Sequence, residues 1–148
     1  MSWNAISTQE DAEYLLDLFG GFHDACVREA HFTTKHWVNQ NLSMRCSPDL
    51  DTSISFVVQR QFTNPSCIEL KFESVVRLNW VPTPKNYDSA IYSAVIGFEN
   101  SEIFWVLDSE DPPSKLDPES ECWVVAKSLK WRMADEFLGE NLHYGAQP

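Results

Sequence analysis

Hydrophobic periodicity changes once in this chain, at Gly20-Gly21, and that change limits the folds open to it. Before the glycines, Ala12, Leu15, Leu16 and Phe19 recur at helical spacing while Glu10, Glu13 and Asp17 fall mostly elsewhere. Thr8 can cap this run, with Asp11 three residues on as a near capping-box partner. The spacing predicts a helix over 8–19, stopped by the glycine pair. After them the period is two. Ile54, Phe56, Val58 and Phe62 share one face of 53–62, with Arg60 as the single intruder, and beyond the Asn64-Pro65-Ser66 turn Ile68, Leu70 and Phe72 alternate with Cys67, Glu69, Lys71 and Glu73. These two stretches read as a half-buried antiparallel hairpin.

Further strands are expected at 75–81, 90–99, 102–108 and 122–131, the last with Trp123, Val125, Leu129 and Trp131 on one face, interrupted by Lys127. Pro82, Pro84, Pro112, Pro113 and Pro118 cannot donate to a ladder, so 82–86 and 109–120 read as loops. Residues 22–32 fit a strand with Phe22, Cys26, Ala30 and Phe32 on one face, or a helix capped by Asp24; the hairpins downstream favour the strand. Another strand is expected within 37–46, and about one helical turn within 133–138. The connections are too short for crossover helices, which need about a dozen residues or more, so a parallel sheet is disfavoured. The expected fold is α+β: an N-terminal helix packed on a mainly antiparallel sheet of about seven or eight strands, bent into a sandwich or partly closed barrel. Ile54, Phe56, Val58, Ile68, Leu70, Phe72, Ala94, Ile96, Ile103 and Trp105 should form its core.

At 148 residues with 43% hydrophobic and 13% aromatic content, the chain suits one domain over 1–148 and excludes disordered and collagenous classes. Eleven Lys and Arg against 22 Asp and Glu give a net charge of −11, which argues against nucleic acid as a partner. The opening residues lack the basic and apolar regions of a secretory signal, and no apolar run is long enough to span a membrane. Cys26, Cys46, Cys67 and Cys122 form no Cys-x-x-Cys pair and read as buried thiols of a cytoplasmic protein. No metal or cofactor is expected.

Two places attract attention as sites. His23-Asp24 puts an imidazole beside a carboxylate, the pairing of a general base, as in a hydrolase, or of a metal ligand. Neighbouring strand residues point to opposite faces, however, so the simpler reading has Asp24 tying the helix-to-strand corner with His23 in a polar pocket. Glu69 and Glu73 flank Lys71 on one strand face and read as a solvated, salt-bridging surface. The second place is 99–121, which carries eight carboxylates against Lys115 alone, a local net of −7. Its Glu110, Asp111, Glu119 and Glu121 are the candidate contacts for a basic protein partner. No nucleophile elbow, phosphate loop or His-Glu-x-x-His motif occurs. A mouth lined by Trp and Tyr, taking a small molecule, is the other reading.

The series Leu18-Phe19-Gly20-Gly21-Phe22-His23-Asp24-Ala25, Phe56-Val57-Val58-Gln59-Arg60-Gln61-Phe62, Arg77-Leu78-Asn79, Ile103-Phe104-Trp105 and Trp131-Arg132 resembles small uncharacterised bacterial cytoplasmic proteins with a Phe-His-Asp opening. Some of those resemble immunity proteins of polymorphic toxin systems. The resemblance implies a non-enzymatic, toxin-neutralising role and brings no catalytic residue with it.

Overall fold

The computed structural model describes residues 2–145. In chain order it contains β1 (Asn4–Ile6), α1 (Gln9–Leu18), β2 (Ala25–Thr33), β3 (Trp37–Val38), β4 (Met44–Arg45), β5 (Ser53–Arg60), β6 (Cys67–Asn79), β7 (Ala94–Glu99), β8 (Glu102–Leu107) and β9 (Cys122–Met133), with 3₁₀ turns at Gly20–Phe22, Pro113–Lys115 and Asp135–Phe137. The architecture is the α+β arrangement that the change of period predicts. Seven strands form one antiparallel sheet in the order β2-β5-β6-β9-β8-β7, and β1 adds to β9 beyond the end of β8. β3 and β4 pair only with each other. The sheet is not closed into a barrel; one bridge joins its β2 edge to the residues ahead of β7, where the Ile91 amide donates to Ala25 (2.7 Å) and the Asp24 amide to Ile91 (3.0 Å).

The sheet is strongly coiled. β5 and β8 are three places apart, about 14 Å in a flat sheet, yet the Phe56 and Trp105 rings lie 5.1 Å apart across the concave face. All ten expected core residues lie in the cluster that fills this face. α1 closes one end of it. The Thr8 side chain accepts from the Asp11 amide, and the Asp11 carboxylate accepts from the Thr8 amide, so the capping box is complete. Ala12, Leu15, Phe19 and Phe22 then enter the core.

Several expectations need correction. β6 is one strand, not two: it runs through a bulge at Val75/Arg77, with Ser74 at φ 53°. On β9 the inward set steps from Ala126 to Leu129, and this odd step reverses the facing of the first half. Val124 and Ala126 therefore join Leu129 and Trp131 inside, while Trp123 and Val125 pack on the outer face with Phe104 and Val106. Phe62 is exposed because β5 ends at Arg60, whose guanidinium lies over Phe19 (4.6 Å) and donates to the carbonyls of Leu18, Thr63 and Pro65. Phe22 precedes β2 in the 3₁₀ turn at the Gly20-Gly21 corner. The segment 37–46 forms a small hairpin rather than one strand. Of the four thiols, only Cys67 is buried; Cys122 is half-buried, and Cys26 and Cys46 are exposed.

On the edge hairpin, Gly97 pairs with Phe104. A Cβ on Gly97 would meet the Phe104 ring at 2.7 Å, so the ring occupies the space a side chain would need.

Candidate functional site

The end of the concave face opposite α1 is left open. Val27, Ala30 and Phe32 of β2, Ile54 and Phe56 of β5, and Leu78 and Trp80 at the far end of β6 make its apolar floor. The chain between β6 and β7 supplies Pro82, Pro84 and Tyr87 along one side, where prolines prevent a further strand from covering the sheet. The result is a groove of about 980 Å³, at the upper end of the range of ligand sites. Trp80 lies 5.5 Å from Phe56 and 6.3 Å from Trp105, so it is continuous with the core while its own ring is partly exposed. Tyr87 is 76% exposed at the rim.

The groove carries four carboxylates, Asp88, Asp108, Glu119 and Glu121, and among the described residues no Lys, Arg or His lines it. Two of them are engaged locally. Asp108 accepts from the amides of Tyr92 (2.7 Å) and Ser93 (3.2 Å), and Asp88 accepts from the Ala90 amide (3.1 Å). Glu121 differs: its Oε2 is buried with no hydrogen-bond donor. A buried carboxylate oxygen without a donor is costly. Cys122 anchors the adjoining wall, its Sγ lying 3.2 Å from the Val81 amide and 3.3 Å from the Val81 carbonyl. Burial raises the pKa of this thiol.

The site residues read from the sequence divide. Glu119 and Glu121 line the groove. Glu110 and Asp111 stand exposed away from it, because the loop is drawn towards the outer face: Leu116 packs on the Phe104–Val106–Trp123 cluster, and the Ser114 hydroxyl donates to Glu99. His23 and Asp24 sit beside the Ala25–Ile91 bridge. The corner is tied by the Asp24 backbone, at φ 58° with its amide on Ile91, and the His23 side chain is exposed rather than pocketed. His23 Nδ1 is 2.8 Å from the Tyr92 carbonyl, a contact that requires a proton on Nδ1, and Nε2 is 3.5 Å from Asp24 Oδ2. The reading of a mouth lined by Trp and Tyr singles out neither Trp80 nor Tyr87 and leaves out Phe32, all three of which line the groove. The local signal for Trp80 and Tyr87 is the proline pair between them, which marks where strand cover ends.

The outer face carries a second constellation. Glu73 does pair with Lys130 at 2.9 Å, as a salt-bridging surface should, but Glu69 is 0% exposed. Arg132 reaches Glu69 Oε1 through Nε and Nη2, both at 2.7 Å, and the Tyr144 hydroxyl donates to Oε2. Burial, reinforced by this bond to Glu69, pushes the Tyr144 hydroxyl up to about 12. The C-terminal segment forms a strap over this carboxylate. Asp135 accepts from the Ser66 and Cys67 amides, the Gln59 side chain donates to the carbonyls of Phe137 and Gly139, and the His31 ring stacks on Tyr144 at 4.8 Å. Both oxygens of Glu69 are thus engaged, and the constellation is a clasp with no room for a reacting group.

Among the described residues no helix is long and apolar enough to cross a membrane, and no group of three or more His, Cys, Asp or Glu is placed to hold a metal ion. Compared with protein-family models, with curated proteins and with solved structures, the chain matches none.

Proposed function

We propose that this protein is a non-enzymatic protein-binding module of the cytoplasm, immunity-like in action, whose groove receives a basic segment of a partner protein that also carries an apolar side chain. One observation carries the reading: an apolar floor of about 980 Å³ bordered by four carboxylates without a single cation, one of them with a buried oxygen lacking a donor. Aromatic rings beside carboxylates suit the aliphatic stem and charged head of Lys or Arg, the stem on Trp80 and the head towards Glu121. Glu110 and Asp111 lie outside this contact and act at longer range, accelerating encounter with a basic partner.

Tryptophan fluorescence titrated with short peptides tests it. A peptide combining Arg or Lys with Leu or Phe should quench saturably, and an acidic peptide of the same length should not. Glu119→Gln with Glu121→Gln should weaken binding, whereas Glu110→Gln with Asp111→Asn should slow association and leave dissociation unchanged. Raising salt shortens the Debye length from about 8 Å under physiological conditions to about 3 Å at 1 M and should reproduce the slower association. Peptide affinity indifferent to Glu119, Glu121 and salt overturns the reading. The groove's volume and its Trp80 and Tyr87 favour a small-molecule ligand as the second reading, which saturable quenching by uncharged metabolites alone would establish in its place.

A further inference from the structure

The β3–β4 hairpin stands away from the body of the molecule. Every residue from 40 to 50 is exposed, and Leu42, Met44 and Trp37 are 84%, 64% and 55% exposed. Apolar side chains gathered on one projection mark an interaction surface. The hairpin is nonetheless built: the Asn39 amide donates to Ser43 (2.9 Å), the Leu42 amide to Asn39 (2.8 Å), and Trp37 Nε1 to the Asn39 side chain (3.0 Å). Its ordering cost is therefore met before any partner arrives. Between 35 and 47 it carries Lys35 and Arg45 and no carboxylate; Asp49 and Asp51 follow on the return to β5, where Asp51 lies 2.7 Å from His36 Nδ1.

These are the properties the groove asks of an occupant, apolar side chains together with cations. The two surfaces also adjoin. The hairpin leaves from the end of β2 and returns at the start of β5, and Phe32 and Ile54 at those ends line the groove. A projection and a complementary groove side by side on one molecule allow a two-fold pairing in which each copy gives its hairpin and receives the other's, a contact that closes instead of growing into a fibre.

We propose that two copies of this chain exchange β3–β4 hairpins, Leu42 and Met44 of each lying in the other's groove with Lys35 and Arg45 towards its carboxylates. The proposal rests on the reading of the groove as a receptor for basic apolar segments, and adds that the first such segment it meets is the protein's own. A basic partner then binds by displacing the second copy.

Sedimentation equilibrium of the full chain at tens of micromolar tests it, with the basic apolar peptide of the previous section as competitor. The wild type should sediment as a dimer that dissociates in high salt or on adding the peptide. Leu42→Ser with Met44→Ser, two exposed positions, should give a folded monomer with unchanged circular dichroism. Glu119→Gln with Glu121→Gln should raise the dimer dissociation constant about tenfold, the loss of about 1.4 kcal/mol. Mixing the two variants should give a heterodimer held through one of the two contacts, the intact groove of the hairpin variant receiving the intact hairpin of the groove variant, and weaker than the wild-type dimer. A monomeric wild type that still binds the peptide overturns the exchange and leaves the groove reading standing. A dimer untouched by the hairpin substitutions overturns it equally. A folded, monomeric hairpin variant that binds no basic peptide overturns the groove reading itself.

Discussion

The two ends of the concave face are built from the same strands and the same alternation, yet they finish differently. At one end α1 and the turn that follows it lay Leu15, Phe19 and Phe22 over the sheet, each of them fully buried. At the other, a proline-interrupted connection stops short, and Phe32, Trp80 and Tyr87 remain partly or largely exposed. A sheet coiled this far needs only one end sealed to hold a core. The unsealed end is then free to recognise something, and the carboxylates gather there.

The contrast breaks if the two ends respond alike to truncation. Phe19→Ala should cost about 3–5 kcal/mol in urea unfolding, since a fully buried ring leaves a cavity beneath α1. Tyr87→Ala should stay within about 0.5 kcal/mol. Equal losses would make the open end part of the stabilising core.

The outer clasp sharpens the contrast by asking whether burial or position sets the cost. Arg132→Ala leaves Glu69 buried without its cation and should destabilise by about 3 kcal/mol, far from either end. A loss near zero would mean that Glu69 reaches water when unpaired.

The strap also makes stability depend on pH. Tyr144 is neutral and hydrogen-bonded when folded, with its pKa raised from about 10 to about 12. The folded state therefore holds this proton more tightly than the unfolded chain. That contribution is complete below about pH 10, the unfolded value, and is lost as pH rises to about 12. Tyr144→Phe should unfold with a shallower loss of stability across this window than the wild type. Identical slopes would show that the strap does not hold the hydroxyl against Glu69.

The sequence made the helix, its capping box and the concave core legible, because each rests on local spacing and one face of one strand at a time. It misread Trp123 and Val125 because the facing of β9 reverses between Ala126 and Leu129, opposite Ser74 of β6 at φ 53°, and that irregularity is set by the pairing of the two strands rather than by either alone. It misread Glu69 because the residues that bury it, Arg132 and Tyr144, lie 63 and 75 positions along the chain. Of the site, the sequence located the acidic segment and the proline loop, but not their meeting with β2 and β5. That meeting depends on how far the sheet coils, which no single strand encodes.

The Phe104 ring lying on Gly97 has a consequence for descent. Neither residue can change freely while the other stays: a side chain at 97 collides with the ring, and a small residue at 104 bares a glycine on an edge strand. The two positions should therefore vary together. A lineage that placed Ala or Val at 97 would have to surrender the aromatic at 104 in the same step, and with it part of the ground on which Val106, Trp123 and the acidic loop's Leu116 rest.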